Sequence, residues 1–239
     1  MRLTEAACAK GERWRIVDQK LQRLQTETLE EALYEVDLAF GTYAMEARPD
    51  LLQLHGGGVS RGGRRTILVL GGPRAGKTTL LAGLLGRGFE YVADELLFLH
   101  PERLAVIPFR RGIFIREAAL KEVRAVWPAA TLSYAYTKDD GTRRYLPAPG
   151  SFQQAPTREV AAPYLLIFPA YRAESARRIE LLPLEEVFGR LLSQTLNLAG
   201  HGFAGVSALA RLAESAPAYE ITASSLRDAV ACVESVLHA

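Results

Sequence analysis

Apolar positions in this chain come in two patterns. Between residues 66 and 182 they form short, nearly continuous runs, "TILVL", "FEYVAD", "LLFLH", "RLAVIPF", "GIFI", "PYLLIFPAY" and "RRIELLPL". Such runs, bounded by glycine, proline or charge, predict strands, and the last two read as buried ones. Beyond residue 183 the spacing changes to three and four. "LEEVFGRLLSQTLNL", "FAGVSALARLAESA" and "SLRDAVACVESVLHA" therefore predict amphipathic helices with one face on the core. The same spacing follows Lys77, through Leu80, Leu81, Leu84 and Leu85, and "REAALKEVRAVW" reads as a helix closed by Pro128.

The connecting stretches complete the outline. "HGGGVSRGGRR", residues 55 to 65, reads as a turn leading into "TILVL". Residues 135 to 160, with Asp140-Gly141 and three prolines, predict a loop or hairpin. Residues 1–50 contain the alternation "RWRIV", a polar Gln- and Glu-rich stretch and "LYEVDLAF", and are expected to be a short strand-rich segment before a main domain at 51–239. The expected class is α/β: a central, mostly β sheet with one helix after a glycine loop and helices at the C-terminal end.

Composition narrows the functional classes. Apolar residues make up 49% and charged residues 23%, an ordinary globular balance. A net charge of +2 with dispersed basic residues gives no basis for bulk binding to nucleic acid or an anionic membrane. No apolar run is long enough to span a bilayer and the first residues lack a secretory pattern, so a cytoplasmic location is expected. Cys8 and Cys232 stand far apart and suggest neither a disulfide framework nor a thiolate metal site; Cys232 is expected in the core.

The chemistry concentrates in "LVLGGPRAGKTTLLAGLLGRGFEYVADELLFL". Gly71-Gly72-Pro73-Arg74-Ala75-Gly76-Lys77-Thr78 satisfies G-x-x-x-x-G-K-[ST] between a predicted strand and a predicted helix. Glycines let such a loop curl so that backbone N–H groups face phosphate oxygens, and the helix start adds its positive dipole end. Lys77 is then expected on the β- and γ-phosphates of ATP, and the Thr78 hydroxyl on Mg²⁺; Thr79 continues the helix. Asp94 and Glu95 follow Lys77 by only 17 and 18 residues. One helix and one return strand bring that pair back to the phosphate edge of the sheet.

With these neighbours the segment resembles the HPr kinase/phosphorylase family, whose members show a G-K-S loop, an Arg-Gly pair and V/I-A-D-D at this spacing. The matching residues are Gly76-Lys77-Thr78, Arg87-Gly88 and Val92-Ala93-Asp94-Glu95. Leu54-His55-Gly56 matches the family's upstream Leu-His-Gly, and "IPFRRGIFI" the strand after its active site. The similarity covers residues 51 to 239, most strongly 54 to 95, and is greatest to the shorter HPr-kinase-like proteins. The family's Glu-x-Arg-Gly here reads Phe109-Arg110-Arg111-Gly112; the glutamate is missing, and with it the basis for a reverse phosphorylase activity.

The resemblance implies a P-loop HPr-kinase-like fold and an ATP- and Mg²⁺-dependent serine kinase. Its acceptor would be a peptide or small protein, as in lasso-peptide precursor phosphorylation, and a homo-oligomer is compatible with it. On this reading Asp94 takes the acceptor proton, Thr78 and Glu95 hold Mg²⁺, and His55 lies beside the transferring group. Arg111 or Arg110 stabilises the transition state, and Arg143-Arg144 could hold an acidic partner. A small-molecule kinase and a non-catalytic ATP-binding sensor are the alternatives. An ABC-type ATPase is disfavoured, because no glycine-rich signature loop is present and the spacing from Lys77 to Asp94 is short.

Overall fold

The computed structural model describes residues 28–238 except 139, 149 and 156–158, and the backbone of 2–8, 11–17 and 24–26. Strands β1 (Arg2–Cys8), β2 (Gly11–Val17) and β3 (Leu24–Thr26) form a small antiparallel sheet in that order. Helix α1 (Leu29–Ala47) follows, opened by a capping box in which the Thr28 hydroxyl accepts from Glu31 N and Glu31 reaches back to Thr28 N. "LYEVDLAF" is therefore helical and not strand-like. Its apolar residues fit both periods, and the cap decides in favour of the helix. α1 packs on the main body through Tyr34 against Tyr136 and Phe40 against Phe109.

That body is built on one mixed sheet. Its strands are β4 (Leu52–Arg61), β5 (Arg65–Leu70), β6 (Glu90–Ala93), β7 (Leu96–Leu99), β8 (Val106–Ile107), β12 (Pro163–Tyr171), β13 (Arg178–Leu181) and β14 (Ala218–Ala223). The order is β13-β14-β12-β5-β4-β7-β8, with β6 also paired to β4. β5, β12 and β14 are parallel to one another, and the remaining pairs are antiparallel. A second sheet, β10 (Leu132–Thr137), β11 (Arg143–Pro147) and β9 (Ile115–Arg116), contains the hairpin expected around Asp140-Gly141.

Helices cover both faces of the main sheet, as its alternation requires. Ile67 and Val69 of β5 point to one layer, with α2 (Lys77–Leu85), α3 (Leu120–Val126) and α6 (Leu226–Leu237). Leu68 and Leu70 point to the other, with α4 (Leu184–Gln194) and α5 (Leu198–Ser215). Cys232 is buried in the α6 layer. The described residues hold six α-helices, none long and apolar enough to cross a membrane.

Three local readings differ from the sequence pattern. "HGGGVSR" belongs to β4 and not to a turn; the reversal is confined to Gly62-Gly63-Arg64. A Cβ on Gly57 would lie 2.3 Å from Leu81 Cδ1 and 3.0 Å from Ala93 O, so the bare backbone lets α2 and the neighbouring strand close on β4. β13 is an exposed edge strand and not a buried one: Leu181 is 63% exposed. Finally, "AYEITA" forms β14, an unanticipated strand that completes the parallel trio.

Candidate functional site

The glycine loop leaves the C-terminal end of β5, beside the C-terminal ends of β12 and β14, where parallel strands of open α/β sheets bind ligands. Gly71, Arg74 and Gly76 have φ of 136°, 66° and 100°, and these left-handed turns curl the chain before α2. No side chain caps α2. Its first N–H groups, which have no intrahelical partners at any helix start, are therefore not satisfied by a capping side chain.

Lys77 is nearly buried at the helix start. Its Nζ donates to Gly71 O (2.8 Å) and Gly72 O (3.1 Å) and lies 3.0 Å from His55 Nε2. An ammonium has no lone pair, so His55 Nε2 must accept and its proton sits on Nδ1. That nitrogen lies 3.6 Å from Glu95 Oε2. Burial and the Lys77 charge hold the imidazole below its ordinary pKa, against the smaller opposing effect of Glu95. Burial also lowers the Lys77 pKa.

β6 and β7 run along the same flank of β4 and are interrupted at Asp94-Glu95. Gly56 N donates to Glu95 O at this break (3.4 Å). The two carboxylates have different surroundings. Asp94 is 2% exposed and accepts from Thr78 Oγ1 at 3.0 and 3.3 Å. Burial first, and the nearby Glu95 second, raise its pKa to about 7. Glu95 has φ 68°, unusual for a non-glycine residue, and its side chain is about half exposed at the mouth of the site.

Lys77, Thr78, His55, Asp94 and Glu95, all expected from the sequence, are thus brought together. The two expected arginines are engaged elsewhere. Arg111 forms a two-bond ion pair with Asp37 of α1, through Nε to Oδ1 (2.7 Å) and Nη2 to Oδ2, and Arg110 donates to Ala155 O. Arg143 makes an exposed contact with Glu117. Arg116 was not singled out by its sequence neighbours, yet it borders a cavity of about 280 Å³ beside the loop. Arg74, Gly76, Thr79, Tyr171 and Ser225 line the same cavity, which is mainly apolar.

Gln194, at the end of α4, was also missed. With its NH₂ turned inward it donates to Gly71 O (3.1 Å) and His55 O (3.3 Å), linking loop and histidine strand. No local signal marks such a residue, because its partners are backbone carbonyls over 120 positions away.

The oxygen donors Thr78, Asp94 and Glu95 suit a hard divalent cation, and the described residues contain no cluster of three or more His, Cys, Asp or Glu that could hold a metal alone. No protein-family model and no curated protein matches this chain.

Proposed function

We propose that this chain is an ATP- and Mg²⁺-dependent kinase that transfers the γ-phosphoryl group to a serine hydroxyl of a peptide or small protein. The observation that carries the reading is the convergence at one sheet edge of an uncapped helix start, a buried lysine and a Thr78–Asp94 hydrogen bond. That set of groups answers the needs of a triphosphate with its metal. The choice of a serine acceptor rests on the resemblance to the HPr kinase/phosphorylase family, including its lasso-peptide precursor members.

On this reading the loop N–H groups and Lys77 hold the phosphates, and the apolar cavity receives the nucleoside. Thr78 and Asp94 would be the protein donors to Mg²⁺, which when bound would supply neutralisation of phosphate charge. The acceptor oxygen bonds to the γ-phosphorus, the bond to the β–γ bridging oxygen breaks, and ADP leaves. The acceptor proton passes to a carboxylate. Glu95 is favoured for that role, since it is half exposed whereas Asp94 lies beneath Thr78. This exchanges the roles that the sequence pattern suggested for the two residues. His55, neutral and held by Lys77, orients Glu95.

Magnesium-dependent ADP release that rises with added serine-bearing peptides, and stops in Lys77→Ala, tests this function. Nucleotide binding with no acceptor-stimulated release would overturn it in favour of a sensor.

A further inference from the structure

Glu122 of α3 ties two helices together at the wall of the cavity beside the glycine loop. Its Oε2 accepts from the N–H of Leu226 (3.1 Å), the first residue of α6, and Leu226, its neighbour Ser225 and Glu122 itself all line the cavity. The carboxylate therefore belongs to the wall that the start of α6 forms. Among the described residues its second oxygen, Oε1, takes part in no hydrogen bond or ion pair. Other polar groups on this wall differ in kind. The Ser225 hydroxyl is closed on Asp228, accepting from its N–H and donating to its Oδ2. Arg74 and Arg116 can only donate. Glu122 is the one carboxylate among the described lining residues.

The sheet sets the distance from the loop. β5, β12 and β14 are adjacent parallel strands; the loop leaves β5 and α6 follows β14. Two strand spacings, about 10 Å, therefore separate the loop from the start of α6. Tyr171, at the end of β12, stands on the step between them: a Cβ on Gly76 would lie 3.8 Å from Tyr171 Cβ. A ribose and a base extending from phosphates on the loop cover that distance.

We propose that Glu122 reads the nucleobase, accepting a hydrogen bond from the 6-amino group of adenine through its unengaged oxygen. The inference rests on the kinase reading of the same site and names the residue that selects its nucleotide. A carboxylate oxygen accepts and does not donate, so it favours an amino group and opposes the carbonyl that hypoxanthine and guanine carry at the same carbon. Guanine's other donor edge, N1–H with the 2-amino group, calls for both oxygens, and Leu226 N–H holds one of them.

Calorimetric titration of the full chain with Mg²⁺ and ADP, IDP or purine riboside diphosphate tests this, using wild type and Glu122→Gln. Purine riboside lacks the 6-amino group, so it removes the donor without touching the fold. Wild type should bind ADP at least about tenfold more tightly than either of the other two. Glu122→Gln should narrow the gap between ADP and IDP to less than about threefold, since an amide offers a donor to a carbonyl as well as an acceptor to an amine. Its side-chain carbonyl still accepts from Leu226 N–H, which keeps the junction of α3 and α6. Equal binding of ADP and purine riboside diphosphate by wild type would overturn the proposal whatever the variant does, as would a full ADP preference surviving in Glu122→Gln. Wild type that binds none of the three would overturn the kinase reading itself, a result distinguishable from these.

Discussion

Thr78 Oγ1 donates to Asp94 Oδ2 at 3.0 Å, joining the residue after the loop lysine to a buried carboxyl at the end of β6. Burial and Glu95 raise Asp94 to about 7. A group whose pKa is higher in the folded state stabilises the fold when protonated. Its contribution is complete below the unfolded value of about 3.9 and is lost as pH rises to about 7. Melts of the ligand-free protein should therefore decline across that window on account of this group, and Asp94→Asn should flatten the decline. Bound Mg²⁺ should stabilise wild type more at pH 8 than at pH 6. A variant whose profile parallels wild type would contradict this account of the site.

The division of labour between the two carboxylates is separable by kinetics. Glu95→Gln should lower phosphate transfer by about 10²-fold or more while Mg²⁺–ATP affinity stays within about threefold. Asp94→Asn should weaken the Mg²⁺-dependent part of nucleotide binding. If Asp94→Asn left that binding intact and Glu95→Gln impaired it, the original order of roles would be restored.

Arg111 and Asp37 form an ion pair with side chains only 17% and 10% exposed. Removing one partner leaves a charge in a site that cannot hydrate it. Asp37→Ala should therefore cost about 3 kcal/mol in chemical denaturation. A loss under about 0.5 kcal/mol would show that α1 is not anchored through this pair.

Gly57 allows α2 to rest on β4. Gly57→Ala places a methyl group 2.3 Å from Leu81 Cδ1 and 3.3 Å from Asp94 Oδ1. It should destabilise by about 1–3 kcal/mol and weaken nucleotide binding as the helix start shifts. Unchanged stability would mean that the layers are not packed as described.

Much of the site was legible because its signals are local. The glycine loop, the adjoining helix and the acidic pair lie within 25 residues, and each residue type has a chemical reason to be there. What escaped is set by partners distant in sequence. The strand character of "HGGGVSR" depends on Leu81 and Leu70 pressing from either side, and glycine propensity alone points to a turn. Arg111 looked free for catalysis because Asp37 lies 74 residues earlier. Arg116 and Arg144 become neighbours only through β-pairing, and the apolar alternation of "LYEVDLAF" was overridden by the Thr28–Glu31 cap. The sheet class and helical C-terminal region followed from periodicity, while the edge position of β13 could not, since an edge and a central strand share the same pattern.

The most direct measurement is intact-mass analysis of serine-bearing peptides and their serine-to-alanine counterparts after incubation with the protein, ATP and Mg²⁺. Serine peptides alone should gain one phosphate, about 80 Da, and the gain should be abolished by Lys77→Ala and strongly reduced by Glu95→Gln. No mass gain on any peptide, with ATP bound, would contradict it.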